Sequence, residues 1–267
     1  MHMESTYGIL GDNDYWWSDF ETNLGEGSNF EIEFEIMANS AINDMITDEG
    51  EKMYDIEETL RYHFEPYYNF MRKLNSTVLE WVESIDIDRT NPIFQQLKNI
   101  ENYFFTFNYT QVLEQVYNIP NDRICHIHGS GQAGQVIMGH GNLDSIKKYR
   151  EEATEKIEKL DKNGAEISNG IYEFYQASFK DTKKILKWHE REMENYQGIE
   201  EIYVFGHSLG KVDMPYFQKI KKYVSNNANW YFYIYNETEK SILDKIEDLK
   251  IKDEHIYILP SEQFYTM

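Results

Sequence analysis

The 267-residue chain carries 47 acidic against 26 basic residues, a formal net charge of −21; such a surface repels phosphate backbones and anionic lipid, which excludes broad nucleic-acid or membrane-surface binding. Hydrophobic residues make up 41% and aromatics 15%, enough for a sizeable core and too many for a disordered chain. One cysteine, Cys125, excludes an internal disulfide scaffold and a cysteine-based zinc site, and it reads as a buried thiol in a reducing cytoplasm.

The chain opens with Met1-His2-Met3-Glu4 and polar or aromatic residues, so no signal peptide is expected, and no apolar run reaches the length of a membrane span. The expected location is the cytoplasm. Residues 1–100 read as mainly helical: "YDIEETLRYHFEPYYNFMRKLNSTVLEWVESI" spaces its apolar residues helically, with a break or kink expected at Pro66. From residue 101 the pattern changes. "NYFFTFN" is a strand, "TQVLEQVYN" a helix, "RICHIHG" a second strand and "GQVIMGHG" a third. Residues 144–196 return to charged helical sequence with a break expected near Asn163-Gly164, and they read as a helical insertion with a solvated face. "EIYVFGHS", "WYFYIYNE" and "HIYIL" are strands separated by the helices "MPYFQKIKKYV" and "TEKSILDKIEDL". This alternation predicts a single α/β domain over 1–267, with a Rossmann-like, doubly wound parallel sheet built from 101–143 and 200–267 and flanked by helices.

The unusual polar residues fall just past the predicted strand ends. Asn108 follows the first strand, after Thr106; His128, Gly129 and Ser130 follow the second; Gly139 and His140 follow the third; Gly206, His207 and Ser208 follow the fourth; Asn236 follows the fifth. In a parallel sheet those ends share one edge, where ligands bind. Glycines and small polar residues there suit close approach of backbone to a ligand. Each also has a plain structural reading: Asn108, Ser208 and Asn236 as helix caps, His126 or His128 as a hydrogen-bonded core histidine, His140 and His207 as residues that close turns.

Three chemistries compete. Gly206-His207-Ser208-Leu209-Gly210 fits the G-x-S-x-G pattern of a serine hydrolase, but His255 is the sole later histidine, and neither Asp213 nor Asp253 is well placed as the acid. His126, His128 and His140 could bind a metal, although no further ligand is identifiable and no metal is expected. The third is a nucleotide pocket. "FTFNYTQVLEQVYNIPNDRICHIHGSG", "VFGHSLGKVDMPYF" and "YIYNE" resemble, in order and spacing, the sirtuin segments T-x-N-x-D, H-G-S, G-T-S-L…V-x-P and a strand ending in Asn. More of the chain, with "YWWSDFETNLG" at 15–25 and "MGHGN", resembles the bacteriophage abortive-infection family called AbiH, itself sirtuin-like in its core.

That resemblance implies a cytoplasmic anti-phage protein that binds NAD and releases nicotinamide as an NAD glycohydrolase, with a non-catalytic nucleotide-binding or interaction module as the alternative. It implies His128 as general base on the nicotinamide ribose, with Asn108 beside it; Thr106, Gly129, Ser130, Gly139, Gly206, His207, Ser208 and Asn236 would hold the cofactor. The expected partners are a nucleotide, a phage or host protein as trigger, and further copies of the chain, with no nucleic acid and no membrane. Three departures stand out: Thr110 replaces the motif's Asp; the sirtuin zinc-binding cysteines are absent, which argues against protein deacylation; and "TYGILGDND" is a poor match to the family's first Gly-rich turn, which would grip the pyrophosphate, so the expectations are a truncated chain, weak nucleotide binding or another role.

Overall fold

The computed structural model describes residues 56–87 and 101–266 continuously, with isolated positions at 24, 31–32, 35–36, 38–40, 92 and 97. The expectations for most of 15–25 and for "TYGILGDND" lie outside the described residues. In chain order the elements are α1 (Ile56–Glu83), β1 (Phe104–Thr106), α2 (Val112–Gln115), β2 (Ile124–His126), β3 (Gly129–Ser130), β4 (Gln135–Val136), α3 (Leu143–Glu158), α4 (Lys162–Ala177), α5 (Thr182–Trp188), α6 (Glu190–Met193), β5 (Glu201–Phe205), α7 (Met214–Tyr223), β6 (Asn229–Ile234), α8 (Glu239–Ile246) and β7 (Ile256–Pro260). The chain divides into two compact units, one of residues 1–75 and 138–180, the other of 76–137 and 181–267.

α1 runs unbroken through Pro66, against the expected break. Its buried residues Leu60, Phe64, Tyr68, Met71 and Leu74 recur every three or four positions, as one face of a helix requires. Each contributes roughly 1.5–3 kcal/mol of burial, which together outweigh the ~3 kcal/mol cost of an interior proline.

In the first unit, α3 and α4 form an antiparallel helical hairpin. Tyr149 stacks on Tyr175 with ring centroids 6.0 Å apart, and Lys156 Nζ donates to Ser168 Oγ at 2.8 Å, two pairings that converge toward the turn. The break falls at 159–161, earlier than expected. Asp161 Oδ1 accepts the Gly164 N–H at 3.0 Å, so Asn163 and Gly164 become the first turn of α4 instead of its interruption. Gly139 permits a close chain approach, since a Cβ there would stand 2.3 Å from the Ser178 carbonyl oxygen. His140 N then donates to Ser178 O at 3.0 Å, and Lys180 N donates to His140 O at 2.8 Å.

The second unit holds the parallel strands. β1 pairs with β2, Phe105 opposite Cys125. β5, β6 and β7 form a three-stranded parallel sheet in sequence order. Right-handed crossovers in that order put α7 and α8 on one face. There Phe217, Ile220, Ile242 and Ile246 pack with Val204, Trp230 and Phe232 in one buried cluster. On the other face Tyr203, Tyr231 and Tyr257 stand in register, their neighbouring rings stacked at 4.8 Å and 4.8 Å.

The mixed α/β character and the parallel pairing match the sequence reading; one continuous doubly wound sheet does not appear among the described residues, whose parallel strands fall into sheets of two and three. "GQVIMGHG" is also not a parallel strand. β4 folds back antiparallel on β3, Gly129 opposite Val136, through the turn 131–134 closed by Gly134 N to Gly131 O at 3.0 Å. A tight hairpin connects antiparallel neighbours directly, whereas a parallel partner would need a long crossover that this segment does not contain.

Candidate functional site

The exits of β1 and β5 meet through their side chains. Phe107, one residue past β1, lies with its ring 4.1 Å from that of His207, two residues past β5. His128, two residues past β2, completes the group, its ring 5.5 Å from Phe107 and 5.2 Å from Tyr216. Asp213 links the two histidines. Its Oδ1 lies 3.7 Å from His128 Nε2 and its Oδ2 lies 3.4 Å from His207 Nε2. His128 is 4% exposed and Asp213 9%.

Local sequence explains this placement. Asp213 is the N-cap of α7 with Pro215 in the first turn, a standard helix start. Its side chain makes no capping bond and turns to the histidines, while the positive end of the helix favours its charge. Leu209 N–H donates to His207 Nδ1 at 2.8 Å, so Nε2 carries the ring hydrogen and presents it to the carboxylate. A carboxylate beside two imidazoles is an arrangement used in general acid–base catalysis, with His207 held in one tautomer by the Leu209 N–H. Direct contact between a ligand and the buried His128 requires its neighbours to move aside.

The other predicted site residues have their own environments. Thr106 is buried and its Oγ1 accepts the Asn108 N–H at 3.1 Å, shaping the β1 exit. Asn108 is exposed, and it does not cap α2, whose N-cap is Gln111. Its carbonyl oxygen accepts from His126 Nδ1 at 3.0 Å, while His126 Nε2 lies 2.7 Å from Glu114 Oε1. Burial opposes the charged form of His126, but the hydrogen bond to Glu114, the bond to Asn108 and the Glu114 charge together raise its pKa above the ordinary value. Gly129 has φ +80° and a Cβ there would meet Gln135 O at 2.1 Å, so the hairpin demands glycine. Ser130 is buried, and its Oγ accepts the Ala133 N–H at 3.3 Å. Gly139 belongs to the other unit. Gly206 and the exposed Ser208 form the turn after β5, whose Ser208 carbonyl accepts from Lys245 Nζ at 2.8 Å. Asn236 is exposed with φ 54°; the cap of α8 is Thr238, whose Oγ1 accepts the Ser241 N–H at 3.2 Å.

The cluster thus unites His128 and His207 with two residues the sequence reading did not select, Asp213 and Phe107. Asp213 was legible as an aspartate at a helix start, but not its turn toward the histidines. Beside the β1 exit lies a groove of about 350 Å³ lined by Val82, Glu83, Tyr109, Thr110, Gln111 and Gly131 among others. Neither His128 nor Ser208 lines it.

Geometry weighs against the two rival chemistries. In a nucleophile elbow the serine sits on a sharp turn directly between strand and helix. Here residues 206–213 separate β5 from α7, and the left-handed residues are Gly206 and Leu209, not Ser208. The three-histidine metal reading loses His140, whose Nε2–H donates to Tyr175 O at 2.9 Å and whose Nδ1 accepts from Asn142 N at 3.0 Å. Burial lowers the His140 pKa, only partly offset by the Tyr175 bond, which fits a neutral structural ring.

The family model described as "Bacteriophage abortive infection AbiH" matches residues 5–234, and the chain belongs to that family. No curated protein and no solved structure matches the chain. Among the described residues, no helix is long and apolar enough to cross a membrane.

Proposed function

We propose that this member of the abortive-infection family binds NAD at the β1, β2 and β5 exits and hydrolyses it to nicotinamide and ADP-ribose. The family membership itself supports a role in stopping bacteriophage infection. The observation that carries the finer reading is the convergence of His128 and His207 on Asp213 from three separate segments. In this reading the core is sirtuin-like and Rossmann-like, with the β1 and β5 exits forming the edge that receives the dinucleotide. His128 takes a proton from the ribose hydroxyl, and Asp213 orients its ring. The C1′–N bond breaks, nicotinamide leaves with the bonding pair as a neutral base, water adds at C1′ and loses one proton to solvent, and His128 returns its proton to the ribose oxygen. Asn108 stands beside the reacting ribose; Thr106, Gly129, Ser130, Gly206, His207, Ser208 and Asn236 supply the cofactor contacts. Loss of NAD in an infected cell's cytoplasm, set off by a phage or host protein, halts phage growth.

The test is free nicotinamide measured by chromatography after incubating purified protein with NAD. Wild type releases it, and His128→Ala and Asp213→Asn each lower the rate by about a hundredfold or more. No release by wild type, or equal release by His128→Ala, overturns the hydrolase reading. The burial of His128 favours one second reading, a nucleotide-binding module without turnover. That module predicts thermal stabilisation by NAD or ADP-ribose with no nicotinamide formed.

A further inference from the structure

A second cluster lies on the other side chain of β2. Cys125 sits between Ile124 and His126 and is 3% exposed. Its Sγ is 3.6 Å from His189 Nδ1 and 3.5 Å from Glu192 Oε2. His189 and Glu192 are three residues apart at the start of α6, so their side chains share a face, and they are hydrogen-bonded to each other. The sulfur, nitrogen and oxygen all lie within 4.8 Å of one another. A cavity of about 140 Å³ borders Cys125 and Glu192, with Tyr103, Arg123, Asn195 and Tyr196 in its wall.

We infer that Cys125, His189 and Glu192 form a three-ligand site for a divalent, thiophilic cation of the zinc class, its fourth position facing this cavity. The distances carry the inference. Zinc–sulfur bonds near 2.3 Å and zinc–nitrogen or zinc–oxygen bonds near 2.0 Å, at tetrahedral angles, set the sulfur about 3.5 Å from each of the other ligands. The two sulfur separations already have that length. Only the His189–Glu192 hydrogen bond has to open, and the cation replaces it. Charge agrees as well. A thiolate and a carboxylate neutralise a divalent ion, and a thiolate with an imidazole suits zinc better than magnesium or calcium. The cysteine count argues against a cysteine-based zinc site, and the three-histidine reading finds no further ligand, so the expectation from sequence is no metal. A mixed Cys-His-Glu set needs only one cysteine.

The test uses the untagged full chain titrated with Co²⁺ as a zinc substitute. Because Cys125 is the sole cysteine, a thiolate-to-cobalt charge-transfer band in the near ultraviolet can come from this site alone. The expected result is that band at one Co²⁺ per chain, lost on addition of Zn²⁺ and absent in Cys125→Ser. His189→Gln and Glu192→Gln, which alter partly exposed side chains, are expected to keep the wild-type circular dichroism and weaken Co²⁺ binding about tenfold or more. Absence of the band in wild type, or its persistence at unchanged affinity in both His189→Gln and Glu192→Gln, overturns the inference.

Discussion

His140 and His126 hold their ring protons under opposite conditions, and they belong to different units. In the unit of residues 1–75 and 138–180, His140 is 1% exposed and bonds the backbone through both ring nitrogens. Backbone groups do not ionise, so that ring keeps one tautomer and serves as a fixed strut between Tyr175 and Asn142. In the other unit, His126 faces Glu114, and His128 and His207 face Asp213. The Glu114 carboxylate favours the protonated ring of His126, whose pKa is raised. The identity of the group opposite a histidine, more than its burial, separates scaffold from candidate chemistry.

Three measurements would break or sharpen this contrast. The largest effect belongs to packing. Trp230 is 0% exposed at the centre of the sheet cluster, so Trp230→Ala is expected to cost about 3–5 kcal/mol in urea unfolding. A cost below about 1 kcal/mol would mean that the sheet unit does not depend on this core. Next comes His140→Ala, expected to cost about 2–3 kcal/mol at neutral pH by leaving two buried backbone groups unpaired. Because its folded-state pKa is lowered, the His140 contribution is fully present above the unfolded value, about 6.5, and is lost as pH falls. The melting temperatures of wild type and His140→Ala should therefore converge in acid. The smallest effect is that of Glu114→Gln, about 1–2 kcal/mol, with the reverse slope. The folded-state pKa of His126 is raised, so the pair's contribution is present below about pH 6.5 and fades as pH rises through the raised value. Melting curves of Glu114→Gln that approach wild type in acid instead of alkali would contradict this assignment.

Much of the fold was legible because its signals are local. The runs "IYVF", "WYFYI" and "IYIL" are unbroken apolar strands bounded by turn residues, and β5, β6 and β7 form there. The features that depend on distant partners were not. Pro66 reads as a breaker until the buried stripe of α1 is counted. β4 has a strand's composition, but the turn before it, not its own residues, decides that it pairs antiparallel. The site divides similarly. His128 and His207 were legible as polar residues after strands, whereas Asp213 gains its role from a side-chain direction that no spacing encodes. His189 and Glu192 sit in a charge-rich helical stretch and read as a solvated face. What sets them apart is Cys125, 64 and 67 positions away in sequence.

The tyrosine row on the sheet gives the molecule a built-in optical reporter. Tyr203, Tyr231 and Tyr257 come from three strands, and their neighbouring rings lie within 10° and 18° of parallel. Chromophores held this close couple their electronic transitions, and a slip of one residue in any strand would turn its ring to the opposite face. Near-ultraviolet ellipticity from this trio therefore signals that all three strands have aligned, and it reads the far side of the sheet from the one Trp230 occupies.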